Sequence, residues 1–268
     1  MNFIFSKRLQ ILNFLLFSLF LFSIESISQV QLKPSIGITQ LPNDNDSVCA
    51  IVPRSQGNPW IPVSPGDTMA DFTLYDINGD SVTLSNILNS SKRALIVTGS
   101  YTCPIFRNHM TELNAVAAQF SNEIECMVVY TVEAHPTGSP MPSSGVINPT
   151  NPPYYQPLTY GDRKAIVSDL LNGVGNGQYI PVPVNVPIYI DGPCNEWWEY
   201  YDAPNKAYLV DTNGVLFAYH SWFNNSNPPN GPPTNIWCDI DSLLNVNSGG
   251  CNTITGLSGT FDFELNSL

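Results

Sequence analysis

The sequence predicts an α/β protein in which a central mixed sheet is flanked by helices and preceded by an amino-terminal β-hairpin. Residues 94–98 form an apolar run that is typical of a buried strand. Apolar side chains then recur at helical spacing from Phe106 to Phe120, which indicates one buried helix face. Residues 127–132 predict a second apolar strand. Strand, helix and strand in this order imply a right-handed crossover and a parallel pair.

The amino-terminal hairpin is predicted from side-chain alternation and turn chemistry. Apolar and polar residues alternate at 72–74 and again at 82–84, and Asn78-Gly79 between them suits a tight turn. We expect a short helix directly afterwards. Ser85 is its predicted N-cap, because a serine hydroxyl can accept a hydrogen bond from an unpaired helix amide.

The second half of the domain is predicted to continue with helices and strands. A helix should stop at Asn172-Gly173, a strand should open with Pro187, and residues 212–214 are typical of a hairpin turn. The predicted elements are helices at residues 162–171, 195–201 and 234–246 and strands at residues 186–191, 206–211 and 215–219.

Composition narrows the class of partner. The chain has 268 residues, 22 of them acidic and 10 basic, which gives a net charge of −12. No block of basic residues occurs in the sequence, which argues against a nucleic-acid partner or an anionic membrane surface. Apolar residues make up 43% of the chain, enough for a buried core.

Residues 1–28 have the order of a secretory signal peptide. Basic residues at positions 7 and 8 precede an apolar segment at residues 11–24, and residues 26–28 offer small side chains for cleavage. We therefore expect a secreted or periplasmic protein with no membrane span after cleavage. The alternative is an N-terminal membrane anchor, for which the apolar segment is short.

The rest of the chain is divided by its periodicity. Residues 29–62 are predicted to be an irregular leader, residues 63–246 one domain, and residues 247–268 a carboxyl-terminal tail. Within the domain, residues 136–160 form an aperiodic loop rich in Pro, Ser and Asn. Such a loop is either a lid or substrate-binding segment, or a passive insertion.

Six cysteines follow the predicted cleavage site. Cys103 lies where the first apolar strand ends and the next helix begins, and Pro104 suits the first helical position. A thiol there faces unpaired backbone N–H groups and the positive end of the helix dipole, which favour the reactive thiolate. The alternative is a small buried apolar side chain.

The other cysteines are assigned by context. Cys126 lies at the start of the second strand and is expected to be an inert core residue. Export makes disulfides possible. The remaining four could pair in three ways, and they are Cys49, Cys194, Cys238 and Cys251.

The second strand ends at Glu133-Ala134-His135. The carboxyl ends of parallel strands meet at one edge of a sheet, where ligand chemistry collects in open α/β folds. We therefore expect Glu133 and His135 to lie near Cys103. The pKa range of a histidine suits proton transfer to a leaving group.

The element order resembles the thioredoxin fold, with a thiol at the first strand–helix junction and a proline opening a later strand. Pro187 would match the cis-proline that lies against the reactive cysteine in that fold. The resemblance covers residues 65–245. It implies a central mixed sheet with the thiol at its edge.

A closer resemblance is to the iodothyronine deiodinase family, which is itself thioredoxin-like. Residues 99–106, Gly-Ser-Tyr-Thr-Cys-Pro-Ile-Phe, align with the family's Gly-Ser-Cys-Thr-Sec-Pro-Pro-Phe, so that Cys103 stands in the place of selenocysteine. Tyr101 stands where the family has a second cysteine. Residues 130–135, Tyr-Thr-Val-Glu-Ala-His, are similar to the end of the family's second strand.

This resemblance implies roles for several residues. Cys103 would be the nucleophile, with His135 and Glu133 managing protons. Supporting or substrate-binding residues would be Ser100 and Thr102 beside the thiolate, Pro187 at the border of the site, and Arg163 on an anionic substrate group. The motif Cys-Pro-Ile-Phe has no second cysteine, so a resolving thiol would come from elsewhere; Cys194 is one candidate, and a structural disulfide is its alternative.

The predicted function is a thiol-dependent oxidoreductase that acts on a soft small-molecule electrophile, namely an aryl halide, a peroxide or a disulfide, with an external thiol as reductant. No tightly bound cofactor and no metal are expected, because His109 and His220 lack ligand spacing. Two alternatives remain: a peroxiredoxin-like peroxidase or thiol-disulfide reductase, and a non-catalytic secreted binding module. The mark of the binding module would be a disulfide-bonded or buried Cys103.

Overall fold

One mixed sheet of eight strands organises the residues that the structure describes. This structure is a computed structural model, and it describes residues 30–51, 63–138, 153–174, 182–201, 205–220, 223 and 235–251. The strands are β1 (Lys33–Gly37), β2 (Ala70–Tyr75), β3 (Ser81–Thr83), β4 (Arg93–Gly99), β5 (Ile124–Tyr130), β6 (Ile188–Ile190), β7 (Ala207–Val210) and β8 (Leu216–His220).

Six helices accompany the sheet within the described ranges. They are α1 (Leu84–Asn89), α2 (Pro104–Asn108), α3 (Met110–Gln119), α4 (Tyr160–Asn172), α5 (Glu196–Tyr200) and α6 (Ile236–Leu244). In the part of the chain that is described, none of these helices has the length and apolarity that a membrane crossing requires. The predicted signal peptide lies outside the described residues.

The strand order is β1-β2-β6-β5-β4-β7-β8, with β3 paired to β2. Strands β4 and β5 are parallel, and α2 and α3 connect them. Strand β7 is antiparallel to β4, and β8 is antiparallel to β7. This core of a parallel pair and an antiparallel hairpin, followed by α6, is a thioredoxin-like fold and confirms the predicted fold class.

Strand β4 lies at the centre of the core and is buried on both faces. Leu95 and Val97 belong to a cluster on one face that includes Phe106 from α2. Ile96 belongs to the cluster on the other face, with Trp197 from α5. A strand covered on both sides has no need of polar alternation, which explains the continuous apolar run in the sequence.

The amino-terminal hairpin forms as predicted, with β2 and β3 antiparallel around the turn at Gly79. Gly79 has φ of 92°, a left-handed conformation that glycine adopts at little cost. The N-cap of α1 is Thr83, whose side chain accepts from Asn86 N, and not the predicted Ser85. The strand therefore runs directly into the helix.

The leader differs from its prediction as an irregular segment. It contains β1, which pairs in parallel with β2, and it is tied to the domain by a Cys49–Cys194 disulfide. The strand reads Lys-Pro-Ser-Ile-Gly and is mostly exposed, so it carries no apolar alternation that would have identified it. A second disulfide joins Cys238 on α6 to Cys251. Residues 252–268 of the predicted tail lie outside the described residues.

The helix predicted from residue 106 to residue 120 is divided in two. Helix α2 ends at Asn108, His109 has φ of −96° and ψ of 1°, and α3 begins at Met110. Helix α4 begins two residues earlier than predicted, because Thr159 and Asp162 form a reciprocal capping box. It ends at Gly173, as expected from the Asn-Gly signal.

Candidate functional site

Cys103 occupies the junction between β4 and α2, at the edge where β4 and β5 end, which we call the carboxyl edge of the sheet. It is the N-cap residue of α2, and Pro104 is the first helical residue. The Cys103 N–H donates to Ser100 O at 3.3 Å, which closes the turn after β4. A Cβ atom on Gly99 would lie 2.5 Å from Phe106 Cε2, so only glycine lets the helix approach this closely.

The thiol of Cys103 is free and buried, with 5% of the residue exposed. The nearby backbone N–H groups of Phe106 and Ile105 lower the pKa of the thiol and so favour the thiolate, although the side chain forms no capping hydrogen bond with the helix. Burial outweighs this effect and raises the pKa of the thiol to about 11. The helix N–H groups therefore act on the thiol in the expected direction, but desolvation outweighs them and favours the neutral thiol.

Glu133 holds the turn that precedes Cys103. Its carboxylate, which is completely buried, accepts from the backbone N–H groups of Tyr101 at 3.2 Å and Thr102 at 2.7 Å. The hydroxyl groups of Thr102 and Tyr130 also donate to it, the latter at 2.7 Å. Burial raises the pKa of Glu133, whereas these four donors oppose the rise. The carboxylate is thus a structural anchor of the turn.

The two sequence motifs meet through Thr102 and Ser100. The Thr102 hydroxyl donates to Glu133 and accepts from the His135 N–H at 2.9 Å. The Ser100 hydroxyl accepts from the Ala134 N–H at 3.2 Å. Residues 100–102 are therefore bound along residues 133–135, and Ser100, Thr102, Glu133 and His135 come together at one place. His135 is half-buried there.

Two residues of this site were missed in the sequence. Gln156 lies in the aperiodic loop at residues 136–160, and its side chain binds both backbone groups of Glu133: Oε1 accepts from the N–H at 3.1 Å and Nε2 donates to the carbonyl at 2.6 Å. Arg107 is 4% exposed and donates to the Tyr101 carbonyl at 3.0 Å. Neither position carries a sequence signal, because polar side chains of these types are mostly exposed.

An aromatic pair lies beside the turn. The rings of Tyr101 and Tyr154 stack with centroids 3.7 Å apart. The Tyr154 hydroxyl donates to Asp169 on α4 at 2.7 Å, and the Tyr101 hydroxyl donates to the Val174 carbonyl at 2.6 Å. This stack joins the turn before Cys103 to the loop after residue 152 and to α4.

Arg163 does not occupy the position expected for an anion-binding residue. It is completely buried, and its guanidinium donates to the carbonyls of Asp191 at 2.9 Å and Gly192 at 2.6 Å, as well as to the Asn195 side chain. These contacts organise the segment between β6 and α5. The expectation of a substrate contact is therefore corrected: Arg163 stabilises a loop from within.

Cys194 is paired with Cys49, which favours the structural disulfide over the resolving thiol. Cys238 pairs with Cys251, so of the three possible pairings of the four cysteines the structure contains this one. Cys103 and Cys126 are the free cysteines of the described chain. Cys126 is 5% exposed within β5, and burial raises the pKa of its thiol to about 12, in agreement with an inert core residue.

Pro187 lies away from Cys103, which corrects its predicted role at the border of the site. It precedes β6, and its carbonyl accepts from Val128 N in the middle of β5 at 2.9 Å. It lines a cleft of about 360 Å³ together with Cys126 and Glu125, toward the end where β5 begins. The strand that pairs antiparallel with β4 is β7, and not the strand that follows Pro187. Residues 202–204, which precede β7, lie outside the described residues.

The described residues include no group of three or more His, Cys, Asp or Glu side chains arranged to hold a metal ion. What the site offers is one free thiol, a buried carboxylate, a buried guanidinium and the half-buried His135. Such an arrangement can form a covalent bond to sulfur and move a proton.

Comparisons with known proteins do not identify a family. No protein-family model matches the sequence. A search of curated proteins also found no match. Among solved structures, similar chains include a protein described as thiol:disulfide interchange protein DsbE from Chlorobium tepidum, at 14% identity and TM-score 0.41, covering 68% of this chain and 96% of that one.

Two further solved structures are similar at the same level. The exposed lipoprotein thioredoxin of Streptococcus pneumoniae is 16% identical with TM-score 0.40, covering 66% of this chain and 100% of that one. A secreted disulfide oxidoreductase of Mycobacterium tuberculosis is 15% identical with TM-score 0.36, covering 68% and 95%.

Proposed function

We propose that this protein is a thiol-dependent oxidoreductase with Cys103 as its single nucleophile. The observation that carries the proposal is the placement of the free thiol at the β4–α2 junction, where the backbone N–H groups of Phe106 and Ile105 at the start of α2 lower its pKa. A dedicated thiolate site needs such donors, since the thiolate is the nucleophile. A structural cysteine in a core stays protonated and does not require N–H groups that favour the thiolate.

The pairing of the other cysteines supports a single-thiol mechanism. Four of them form disulfides, and Cys126 lies within β5, level with Leu95 in the middle of the sheet. Oxidised Cys103 would therefore be restored by an external thiol. For a disulfide substrate, the Cys103 thiolate bonds to one sulfur, the substrate S–S bond breaks, and the other sulfur leaves as a thiolate that takes up a proton.

The finer form of the proposal is a deiodinase-like reductive dehalogenation. It is supported by the contacts between residues 100–102 and residues 133–135, because these two stretches carry the family resemblance. The Cys103 thiolate would take the halogen of an aryl halide as a positive fragment, and the ring carbon would receive a proton from His135. Two external thiols would then release halide and regenerate the thiol as they form a disulfide.

Burial of Cys103 favours a second candidate, a non-catalytic binding module on the same scaffold. The residue is 5% exposed and the pKa of its thiol is raised to about 11. A thiol of this kind is a poor nucleophile at neutral pH unless the site opens or a neighbouring group takes its proton. The two candidates differ in whether native Cys103 reacts with a small electrophile.

The test is alkylation of the native protein, followed by assays with an iodinated phenol, a small disulfide and a peroxide, each with excess dithiothreitol. We expect labelling at Cys103 and turnover of one substrate class, both lost in Cys103→Ser and kept in Cys126→Ser. Iodide release would select the dehalogenase form, and turnover of the disulfide alone would select the reductase form. An unlabelled Cys103 in a folded protein, with no turnover, would contradict the enzyme proposal and leave the binding module.

A further inference from the structure

The backbone N–H and the backbone carbonyl of Tyr101 are each bound by a buried charged side chain, and the two side chains have opposite charge. Its N–H donates to the Glu133 carboxylate at 3.2 Å, and its carbonyl accepts from Arg107 Nη1 at 3.0 Å. Glu133 is completely buried and Arg107 is 4% exposed. Hydrogen bonds to charged groups are stronger than neutral ones, and their strength rises when water is excluded. The turn before Cys103 is thus fixed by a carboxylate and a guanidinium.

Arg107 reaches this carbonyl from one helical turn beyond Cys103. Its own N–H donates to the Cys103 carbonyl at 3.1 Å, and its side chain then returns to Tyr101. The cation is therefore held beside the residues that flank the thiol. Burying a guanidinium costs free energy unless anions or carbonyl dipoles face it. The burial of Arg107 therefore indicates a local role for its charge.

Other titratable groups also face the turn. Glu133 and His135 follow β5, the Tyr130 hydroxyl donates to Glu133, and the Tyr154–Asp169 pair approaches through the stack on Tyr101. On Cys103 itself, Arg107 and Glu133 act with opposite sign: the cation favours the thiolate and the carboxylate disfavours it. The thiol thus lies in the field of two buried charges, both of which bind the turn that precedes it.

We propose that Arg107 is a positioning residue of this site, which fixes the Tyr101–Cys103 turn through the Tyr101 carbonyl and supplies the positive charge that stabilises the Cys103 thiolate. The inference rests on the proposed function, because it assigns Arg107 a part in preparing the same nucleophile. It extends that function by naming the group that counteracts desolvation when the thiol ionises.

The experiment measures the alkylation rate of Cys103 against pH in the full chain carrying Cys126→Ser, so that a single free thiol is followed. Arg107→Gln should raise the midpoint by about one pH unit and slow alkylation about tenfold below it. Glu133→Gln removes the opposing charge and should move the midpoint down. Arg107→Lys keeps the charge and should stay within about threefold of the parent rate.

Arg93→Gln is the matched control, because it removes the same charge at the first residue of β4, six residues before the carboxyl edge. It should leave the midpoint unchanged. Circular dichroism confirms the fold of each variant. If Arg107→Gln does not fold, Arg107→Lys and Glu133→Gln carry the test, with the same expected rates and directions.

Opposite shifts in Arg107→Gln and Glu133→Gln support the proposal, since loss of structure alone has no reason to produce opposite signs. An unchanged midpoint in Arg107→Gln, or equal directions in both variants, overturns it. If only Arg107→Lys and Glu133→Gln carry the test, an alkylation midpoint raised by a full pH unit in Arg107→Lys also overturns the proposal. Failure of the proposed function is a separate result: the midpoints shift as expected, yet no substrate is turned over.

Discussion

The two free thiols of this protein are equally buried but have different surroundings. Cys103 and Cys126 are each 5% exposed, and desolvation raises the pKa of both. Two backbone N–H groups at the start of α2 lower the pKa of Cys103, and the buried charges of Arg107 and Glu133 also act on it. Cys126 lies in the interior of a strand, and the charges acting on it come from the partly exposed Lys92–Glu125 pair.

This difference separates burial from function. Desolvation is common to both thiols and makes each of them a weak acid. Within the described residues, buried charges occur only beside Cys103 of the two thiols. There, Glu133 and Arg107 form hydrogen bonds with the backbone of the turn that precedes the thiol. The polar surroundings of a thiol, more than its exposure, therefore distinguish a candidate nucleophile from a core residue in this fold.

The largest expected effect is on turnover. Cys103→Ser should lower thiol-dependent activity by about a thousandfold or more, because a hydroxyl at this site cannot replace the thiolate as a nucleophile. Cys126→Ser should change kcat/KM by less than about twofold, since it removes no group of the site. Steady-state rates of the two purified variants, with the substrate found in the screen, test the difference. Equal losses would remove the distinction between the thiols.

The next effect is on stability. Glu133→Ala should lower the free energy of unfolding by about 3 kcal/mol, because it leaves several buried donors without an acceptor. These buried donors include the N–H groups of Tyr101 and Thr102 and the hydroxyl of Tyr130. Urea unfolding monitored by circular dichroism gives this value. A loss below about 0.5 kcal/mol would mean that the turn does not depend on the carboxylate.

A smaller effect on the free energy of unfolding is expected at alkaline pH. A thiol whose pKa is raised by folding stabilises the protein below its unfolded pKa of about 8.5, and this contribution is lost as the pH rises toward the folded value. The folded values are about 11 for Cys103 and about 12 for Cys126. Between pH 9 and 10, each thiol should therefore lower stability by about 1 kcal/mol.

Unfolding curves at these two pH values, for the parent and for each Cys→Ser variant, measure that slope. Each variant should lose less stability than the parent over this interval. Similar slopes for both thiols would confirm that desolvation is common to them. A variant with the parent's slope would show that its thiol ionises as easily in the folded protein as in the unfolded chain.

The smallest effect is expected at the Lys92–Glu125 pair beside Cys126. Its side chains are 33% and 37% exposed, and the N–O distance is 3.0 Å. Ion pairs exposed to water contribute about 0 to 1 kcal/mol, so Glu125→Gln should change the free energy of unfolding by less than about 0.5 kcal/mol. A loss as large as that of Glu133→Ala would mean that the two ends of β5 are stabilised by charge to the same degree.

The sequence predicted those parts of the fold that depend on local pattern. Apolar runs located β4 and β5, and the turn at Gly79 located the β2–β3 hairpin. Strand β1 was missed because it is short and exposed, and the break at His109 was missed because the apolar spacing continues across it. Backbone geometry at such points depends on tertiary contacts that no local pattern records.

For the site, the sequence located the thiol and the end of the next strand but not the groups that join them. Arg107 and Arg163 have the same side chain, yet one binds the turn before Cys103 and the other binds the segment after β6. Pro187 was assigned by chain order, although strand pairing places it directly before β6, the strand beside β5. Burial of a charged side chain is a property of the folded neighbourhood, so spacing alone cannot predict it.

The contacts at Tyr154 and Gln156 close a loop at its base. The Thr137 N–H donates to the Tyr154 carbonyl at 2.6 Å, and Gln156 binds the backbone of Glu133 on both sides. Thr137 and Tyr154, on the described residues at either end of this loop, are therefore held together. A foreign segment grafted there would be spliced between fixed ends, and its length would add mainly loop-closure entropy, which grows slowly.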